Sequence, residues 1–138
     1  MNTTTQVTTP LQKAIAEFQI GAYSDHECAQ HQYAFPQHFL GFQGHFPEYP
    51  VLPAVIQCCL GINASSLLCK KNLCLVGISK AKYKQQLIPD MAFEVRAVYK
   101  KNTQPENLHF SIKITAETGL IASFHLQLIE KQPTNKGL

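Results

Sequence analysis

Hydrophobic and polar residues alternate with a period of two along three segments in the second half of the chain. These segments are residues 91–99, 108–116 and 120–128, and the last two are joined by a turn sequence that ends at Gly119. Because successive side chains of a strand point to opposite faces, the alternation predicts three half-buried strands. With residues 74–84 as a preceding strand, the pattern predicts an antiparallel meander.

A fourth segment is apolar on most sides instead of alternating. Residues 54–71 contain no proline, and their apolar positions are Val55, Ile56, Cys58, Cys59, Leu60, Ile62, Ala64, Leu67 and Leu68. A helix that is apolar around most of its circumference is a buried helix, so the segment predicts a central helix of about five turns. Pro53 suits the first helical position, and Asn72 suits the left-handed position that closes a helix.

The first half of the chain has a less regular pattern. Thr9 and Pro10 precede apolar residues at helical spacing, which predicts a short capped helix within residues 1–17. Residues 18–35 predict one or two strands, and residues 36–53 an ordered but irregular loop, because four prolines there restrict the backbone. The elements together predict an α+β fold in which an antiparallel sheet wraps a long buried helix.

The length and the composition indicate one domain with a partner. A chain of 138 residues fits a single domain, residues 1–138, since separate cores need longer chains. Residues 132–138 combine Pro, Asn, Lys and Gly, and we expect this tail to be frayed. Charged residues make up only 15% of the chain, which indicates that more surface than usual is buried against another subunit.

Charge and cysteine content argue against several other classes of protein. A formal net charge of +3, with no run of more than two basic residues, predicts no nucleic-acid partner. No apolar run approaches the roughly 20 residues that cross a bilayer, so we expect a cytoplasmic protein without a membrane partner. Five cysteines do not indicate a disulfide framework. The spacing of His26, His31, His38 and His45 matches no zinc pattern, and we expect no metal and no cofactor.

Two blocks of sequence carry a resemblance to a known family. The first is Phe42-Gln43-Gly44-His45-Phe46-Pro47 followed by Pro50-Val51-Leu52-Pro53, and the second runs from Gly77 through Lys82-Tyr83-Lys84 to Pro89-Asp90. In order and spacing, these blocks resemble the hot-dog 3-hydroxyacyl-[acyl-carrier-protein] dehydratases of fatty-acid synthesis and of aryl polyene clusters. The resemblance covers roughly residues 35 to 130 and implies a hot-dog fold.

The resemblance also implies roles for individual residues. Removal of water from a 3-hydroxyacyl thioester requires a base, an acid and an oxyanion donor. A neutral imidazole serves as a base near pH 7, and the resemblance gives this role to His45. It gives the role of oxyanion donor to the backbone N–H of Ala54, where the family usually has glycine. The residues expected to contact the substrate are Phe46, Pro53, Val55 and Gln57, although Gln57 equally fits a contact between subunits.

Cys59 departs from the family pattern. Fourteen positions after the histidine, the family carries Glu or Asp on the central helix, and a thiol is a poor substitute for a carboxylic acid. In the family, the histidine of one subunit meets the carboxyl group of another. Three interpretations remain open: a homodimer with a modified mechanism, a binding protein that has lost dehydration, and a heterodimer in which a second hot-dog subunit supplies the carboxylate.

Two other functions remain open on the sequence. A thioesterase needs an acidic residue to direct water, and Glu48 is the acidic residue near the loop. A non-catalytic acyl-binding subunit would explain the missing carboxylate. Without the two blocks, His45 would be interpreted as an ordinary loop histidine, and Cys58 and Cys59 as small core residues. The thioester carrier is expected to be acyl carrier protein or coenzyme A.

Overall fold

The computed structural model of the protein describes residues 9–42, 50–101 and 106–131. Within them, two α-helices and a 3-10 turn accompany one antiparallel sheet. The helical elements are α1 (Pro10–Glu17), the 3-10 turn (Leu40–Phe42) and α2 (Ala54–Cys69). The strands are β1 (Gln19–Ser24), β2 (Cys28–Ala34), β3 (Leu73–Tyr83), β4 (Ala92–Lys100), β5 (Leu108–Ala116) and β6 (Gly119–Glu130).

The strand order is β1-β2-β4-β5-β6-β3, and each pair of neighbours is antiparallel. The predicted meander is correct for β4, β5 and β6 but wrong for β3, which pairs with β6. A strand has only two edges, and those of β4 are occupied by β2 and β5. The strand β3 therefore forms an edge of the sheet, and its register with β6 is interrupted between Leu75 and Gly77 and between Ser79 and Lys82.

The alternation predicted for the last three strands is observed in the core. On β4 the buried residues are Phe93, Val95 and Ala97, and β5 buries Phe110, Ile112 and Ile114 in the same way. Val95 lies opposite His31 of β2 on one side and Ile114 of β5 on the other. The apolar sides of these strands thus share one face of the sheet, and α2 packs against this sheet.

The central helix α2 is shorter than predicted and is buried on one side only. It ends at Cys69 because Lys70 adopts the left-handed conformation, with φ of 59°, so Asn72 is not its closing residue. Pro53 is the N-cap residue rather than the first helical residue. The buried residues of α2 are Ile56, Gln57, Cys58, Leu60, Gly61, Ala64 and Ser65. Val55 and Leu67 are 66% and 61% exposed, so α2 carries apolar residues on its solvent-exposed side as well.

The N-terminal helix α1 begins where the sequence predicts. Thr9 and Gln12 form a capping box, in which the Thr9 hydroxyl accepts from the Gln12 N–H and the Gln12 side chain accepts from the Thr9 N–H. The helix buries Ile15, and the Phe18 ring that follows it packs edge-on against Phe35. These contacts hold α1 against the fold beside β2.

Gly61 lets α2 approach the sheet closely at the middle of the helix. A Cβ atom at this position would lie 3.2 Å from Ile112 Cγ1 and 3.2 Å from Phe124 Cε2, and both residues are buried. Such contacts are tighter than ordinary packing, and close-packed neighbours have little room to move. The helix position, and with it the position of its N-terminus, depends on the absence of a side chain at Gly61.

A leucine at Gly61 is expected to destabilise the fold by about 1–3 kcal/mol, because overpacking forces α2 and the sheet apart. The free energy of unfolding in urea measures this. Gly77→Leu is the matched control, since a Cβ at Gly77 would meet only Gln127 Oε1, at 3.9 Å. Equal stabilities for the two variants would contradict the proposed close approach.

Candidate functional site

The N-terminus of α2 presents unpaired backbone donors. Pro53 precedes the helix in an extended conformation and provides no side-chain cap. Its carbonyl accepts from the N–H groups of Ile56 and Gln57, both at 3.1 Å. The N–H of Ala54 has no acceptor among the described residues, and Ala54 is exposed. The first N–H groups of a helix carry partial positive charge, so this end can bind a developing oxyanion.

Both segments that flank the histidine loop are anchored in the core. His45, Phe46 and Glu48 lie outside the described residues. On one side of them, Phe42 is buried at the end of the 3-10 turn. On the other side, Leu52 is buried and its N–H donates to the Leu87 carbonyl at 2.8 Å. The chain is therefore held at a fixed point, Leu52, two residues before Ala54.

Gln57 links α2 to this fixed point. Its side chain is buried at 4% exposure, and its Nε2 donates to the Leu52 carbonyl at 3.2 Å. Its Oε1 atom is buried without a hydrogen-bond partner. A buried unpaired acceptor costs about 1–3 kcal/mol, so Gln57 holds this position beside the helix start at an energetic cost. Sequence reasoning identified Gln57 but not its bond to Leu52.

Cys59 provides neither an acid comparable to a carboxyl group nor a ready nucleophile. Its side chain is half-buried, and burial raises its pKa. Burial also raises the pKa of the more deeply buried Cys58, with a smaller contribution from the charge of Cys59. Thiolates are activated by neighbouring cations or a helix N-terminus, and no cation contributes at Cys59. The thiol therefore stays protonated at neutral pH.

The predicted site residues on α2 do not share one surface. Val55 is mostly exposed, whereas Gln57 is buried, because two residues along a helix are separated by about 200°. Ala54 is exposed, and Pro53 and Cys59 are half-buried. A ligand bound at Ala54 can contact Val55 only on the outer side of α2, where this chain supplies no covering element among its described residues.

The outer side of α2 and the edge strand β3 form an exposed apolar surface. The large exposed apolar side chains on these two elements are Val55, Leu67, Leu75, Val76, Ile78 and Tyr83. An edge strand with unpaired backbone groups is a template for pairing, and apolar residues favour burial against another chain. This surface fits the sequence-based expectation of an oligomer.

Tyr83 lies close to the start of α2, which sequence reasoning did not anticipate. Its ring stacks near Phe124, with centroids 6.3 Å apart. Burial raises its pKa, and the charge of Cys58 adds to the increase, which places the phenol near that thiol. The sequence signal was available, because Tyr83 belongs to the second family block.

His31 and Tyr33 form a buried pair that sequence reasoning also missed. They are 3% and 1% exposed, and Tyr33 Oη lies 3.4 Å from His31 Nδ1. Burial lowers the pKa of His31. Burial also raises the pKa of Tyr33 well above its ordinary value. The sequence signal was the alternation Ala29, His31, Tyr33 on β2, which places both rings on the inner face.

The lowered pKa of His31 predicts a loss of stability in acid. The imidazole of the unfolded chain titrates near pH 6.5, whereas the folded chain resists protonation at that pH. As the pH falls through this value, the unfolded state takes up the extra proton and the free energy of unfolding decreases. Between about pH 7.5 and 5.5, the wild type is expected to lose more stability in urea unfolding than His31→Gln. The exposed His38→Gln is the control, and equal losses in the wild type and His31→Gln would contradict the assignment.

Two kinds of feature are absent from the described residues. No helix in residues 9–42, 50–101 and 106–131 is long and apolar enough to cross a membrane. The same part of the chain contains no group of three or more His, Cys, Asp or Glu side chains that could hold a metal ion.

Comparisons with solved structures support the fold. The dehydratase heterocomplex ApeI:P from Xenorhabdus doucetiae matches with a TM-score of 0.67 and 18% identity, over 81% of this chain and 96% of that one. The E. coli PaaI protein from the phenylacetic acid degradation operon matches with a TM-score of 0.66 and 13% identity, covering 88% and 84% of the two chains. Thioesterase HI1161 from Haemophilus influenzae matches with a TM-score of 0.63 and 15% identity, covering 91% of this chain and 85% of that one.

These structures have the hot-dog fold, so the predicted α+β hot-dog architecture is confirmed. Among curated protein sequences, no significant match is found. A model of the ApeI-like family, described as ApeI dehydratase, matches residues 22–124. Since this match spans well over half of the chain, the protein belongs to the ApeI-like family of hot-dog dehydratases.

Proposed function

We propose that this chain dehydrates 3-hydroxyacyl thioesters, carried on acyl carrier protein, to trans-2-enoyl thioesters. The observation that carries the proposal is the uncapped N-terminus of α2, where the Ala54 N–H is free and exposed. It stands two residues after the anchored Leu52 and nine positions after His45 in the sequence. A base and an oxyanion donor from one short stretch of chain match the needs of this reaction.

The proposed reaction proceeds in two proton transfers. The imidazole of His45 removes a proton from the carbon beside the thioester carbonyl, and negative charge develops on the carbonyl oxygen. The N–H of Ala54 donates a hydrogen bond to that oxygen, supported by the partial positive charge of the helix end. The electron pair then forms the carbon–carbon double bond, and the 3-hydroxyl group leaves with a proton from an acid as water.

We infer that a second hot-dog subunit supplies this acid. Cys59 occupies the position of the family carboxyl group, and its protonated thiol is a weak hydrogen-bond donor with a raised pKa. The exposed apolar surface of α2 and β3 gives a second subunit a place to pack beside this position. The similar ApeI:P protein of Xenorhabdus doucetiae is a dehydratase heterocomplex, which supports a heterodimer over a homodimer. We place the reaction in the cytoplasm.

The test is formation of an enoyl thioester from a 3-hydroxyacyl substrate on acyl carrier protein, followed by mass spectrometry as the loss of water. The chain is assayed alone and with a candidate second hot-dog subunit. We expect little product from the chain alone and efficient conversion by the pair. No enoyl product in either mixture would overturn the proposal.

The same assay distinguishes the other functions of this fold. Release of a free thiol, lost in Glu48→Ala, would indicate a thioesterase. Binding of the acyl carrier without any conversion would indicate a non-catalytic subunit. Parallel reactions with the coenzyme A thioester establish which carrier the pair accepts.

A further inference from the structure

A cavity lies toward the opposite end of α2 from Ala54. It has a volume of about 790 Å³, is open to solvent on one side, and is lined mainly by α1, β2 and the C-terminal half of α2. This volume falls within the range of small-molecule pockets, about 300–1,000 Å³. Ser66 lines the cavity twelve residues after Ala54, which corresponds to about 18 Å along the helix. The cavity is thus separate from the proposed dehydration site of the same chain.

The pair of His31 and Tyr33 faces this cavity with an unused donor. A neutral imidazole has one N–H and one acceptor nitrogen, and Tyr33 has one O–H. If the Tyr33 hydroxyl donates to His31 Nδ1, the imidazole N–H remains free; if Nδ1–H donates, the Tyr33 hydroxyl remains free. The described residues offer no other partner to either side chain. In both arrangements one buried donor is available to a bound oxygen atom.

The remaining walls combine aliphatic groups with positive charge. Ile15, Ile62 and Leu67 provide apolar contacts from α1 and α2, and Lys131 brings an ammonium group at the end of β6. No Asp or Glu belongs to the described lining. Lys131 is also absent from the two ion pairs found among the described residues, so its charge is not neutralised there. The described lining therefore contains aliphatic groups and no negative charge that would repel an anion.

We propose that this cavity binds a small carboxylate with an aliphatic body. The carboxylate accepts a hydrogen bond from the His31–Tyr33 pair, and the aliphatic part packs on Ile15, Ile62 and Leu67. Charge-assisted hydrogen bonds to a carboxylate are about twice as strong as neutral ones. The proposal uses none of the residues near Ala54. Leu67 also belongs to the exposed apolar surface of α2 and β3, so native mass measurement of Leu67→Glu and the wild type accompanies the titration.

Binding of the carboxylate is linked to protonation of His31. The titratable groups of the lining are His31 and Tyr33 on β2 and Lys131 after β6, whereas α1, β1, α2 and β3 contribute none to it. A bound carboxylate favours the protonated imidazole, so affinity increases as the pH falls toward the ordinary pKa of histidine. Each unit by which the ligand raises the pKa of His31 corresponds to about a tenfold gain in affinity.

Isothermal titration of the full-length protein with sodium octanoate tests the proposal, with octanol as the uncharged probe of the same chain length. We expect saturable binding of octanoate, about tenfold tighter near pH 5.5 than near pH 7.5, and markedly weaker binding of octanol. Tyr33→Phe keeps the ring and removes the hydroxyl, and it is expected to weaken octanoate binding about tenfold. Its thermal unfolding reports whether the fold is retained.

Two variants that each introduce a glutamate, one in the cavity wall and one outside it, provide a matched comparison. Leu67→Glu puts a charge into the apolar wall that receives the aliphatic body and is expected to reduce affinity at least about tenfold. Ile20→Glu is the control, since Ile20 is also 61% exposed but does not line the cavity. Absence of saturable octanoate binding, equal binding of octanol, or unchanged affinity in both Tyr33→Phe and Leu67→Glu would each overturn the proposal.

Discussion

Replacement of His45 by alanine is expected to lower the rate of enoyl thioester formation by at least about 100-fold, in the chain paired with its second subunit. A positioned general base typically contributes about 10²- to 10⁴-fold. The measurement is the single-turnover rate with a saturating 3-hydroxyacyl substrate on acyl carrier protein. Saturation separates loss of chemistry from loss of binding.

His38→Ala is the matched control for this experiment. His38 precedes the same segment, is exposed, and contacts the Phe18 ring at 5.7 Å between centroids. Its loss is expected to leave the rate within about threefold of the wild type, since surface substitutions have small effects. A rate in His45→Ala comparable to that of His38→Ala would remove His45 from the mechanism.

Replacement of Cys59 by glutamate is expected to give the isolated chain dehydratase activity. Its rate of enoyl thioester formation is expected to exceed that of the wild-type chain alone by about 100-fold or more. The carboxylic acid supplies the proton that the leaving hydroxide needs, and a general acid contributes on the same scale as a general base. Cys59 is half-buried rather than part of the close-packed core, so the longer side chain can extend from α2 toward the outer side. The neighbouring Cys58 is more deeply buried and offers no such space.

Cys59→Gln separates the acid from the shape of the side chain. Glutamine has nearly the same size as glutamate and cannot donate a proton, so this variant is expected to remain as inactive as the wild-type chain alone. Activity in Cys59→Gln equal to that in Cys59→Glu would show that space, rather than proton donation, limits the wild type. Inactivity of both variants, with the fold intact, would show that the isolated chain lacks a working pocket.

The sequence predicts the elements better than their arrangement. The strands β4, β5 and β6 follow directly from alternation, because a half-buried strand must direct every second side chain inward. The position of β3 at the far edge of the sheet is wrong in the sequence prediction, since local pattern does not record that β2 occupies the free edge of β4. The helix end is misjudged for a similar reason, because Lys70 takes a left-handed conformation that its residue type does not favour.

The candidate site is predictable only where it is local in sequence. Ala54 at the helix start follows from the proline before it and from the family resemblance. The bond from Gln57 to the Leu52 carbonyl depends on the anchoring of Leu52 to Leu87, which lies 35 positions later in the chain. The cavity beside His31 likewise combines residues of α1, β2 and α2, and no single segment contains that information. Contacts between distant segments limit what the sequence alone can predict.

The proposed division of roles gives His45 to this chain and the carboxyl group to a second subunit. It is tested most directly by pairing the wild-type chain with the double variant His45→Ala/Cys59→Glu through two purification tags, and by measuring enoyl thioester formation by the isolated mixed pair. Each chain alone is expected to be inactive, and the mixed pair is expected to convert 3-hydroxyacyl carrier protein to the enoyl product. An inactive mixed pair beside an active Cys59→Glu chain would contradict the claim, because histidine and acid would then have to act within one subunit.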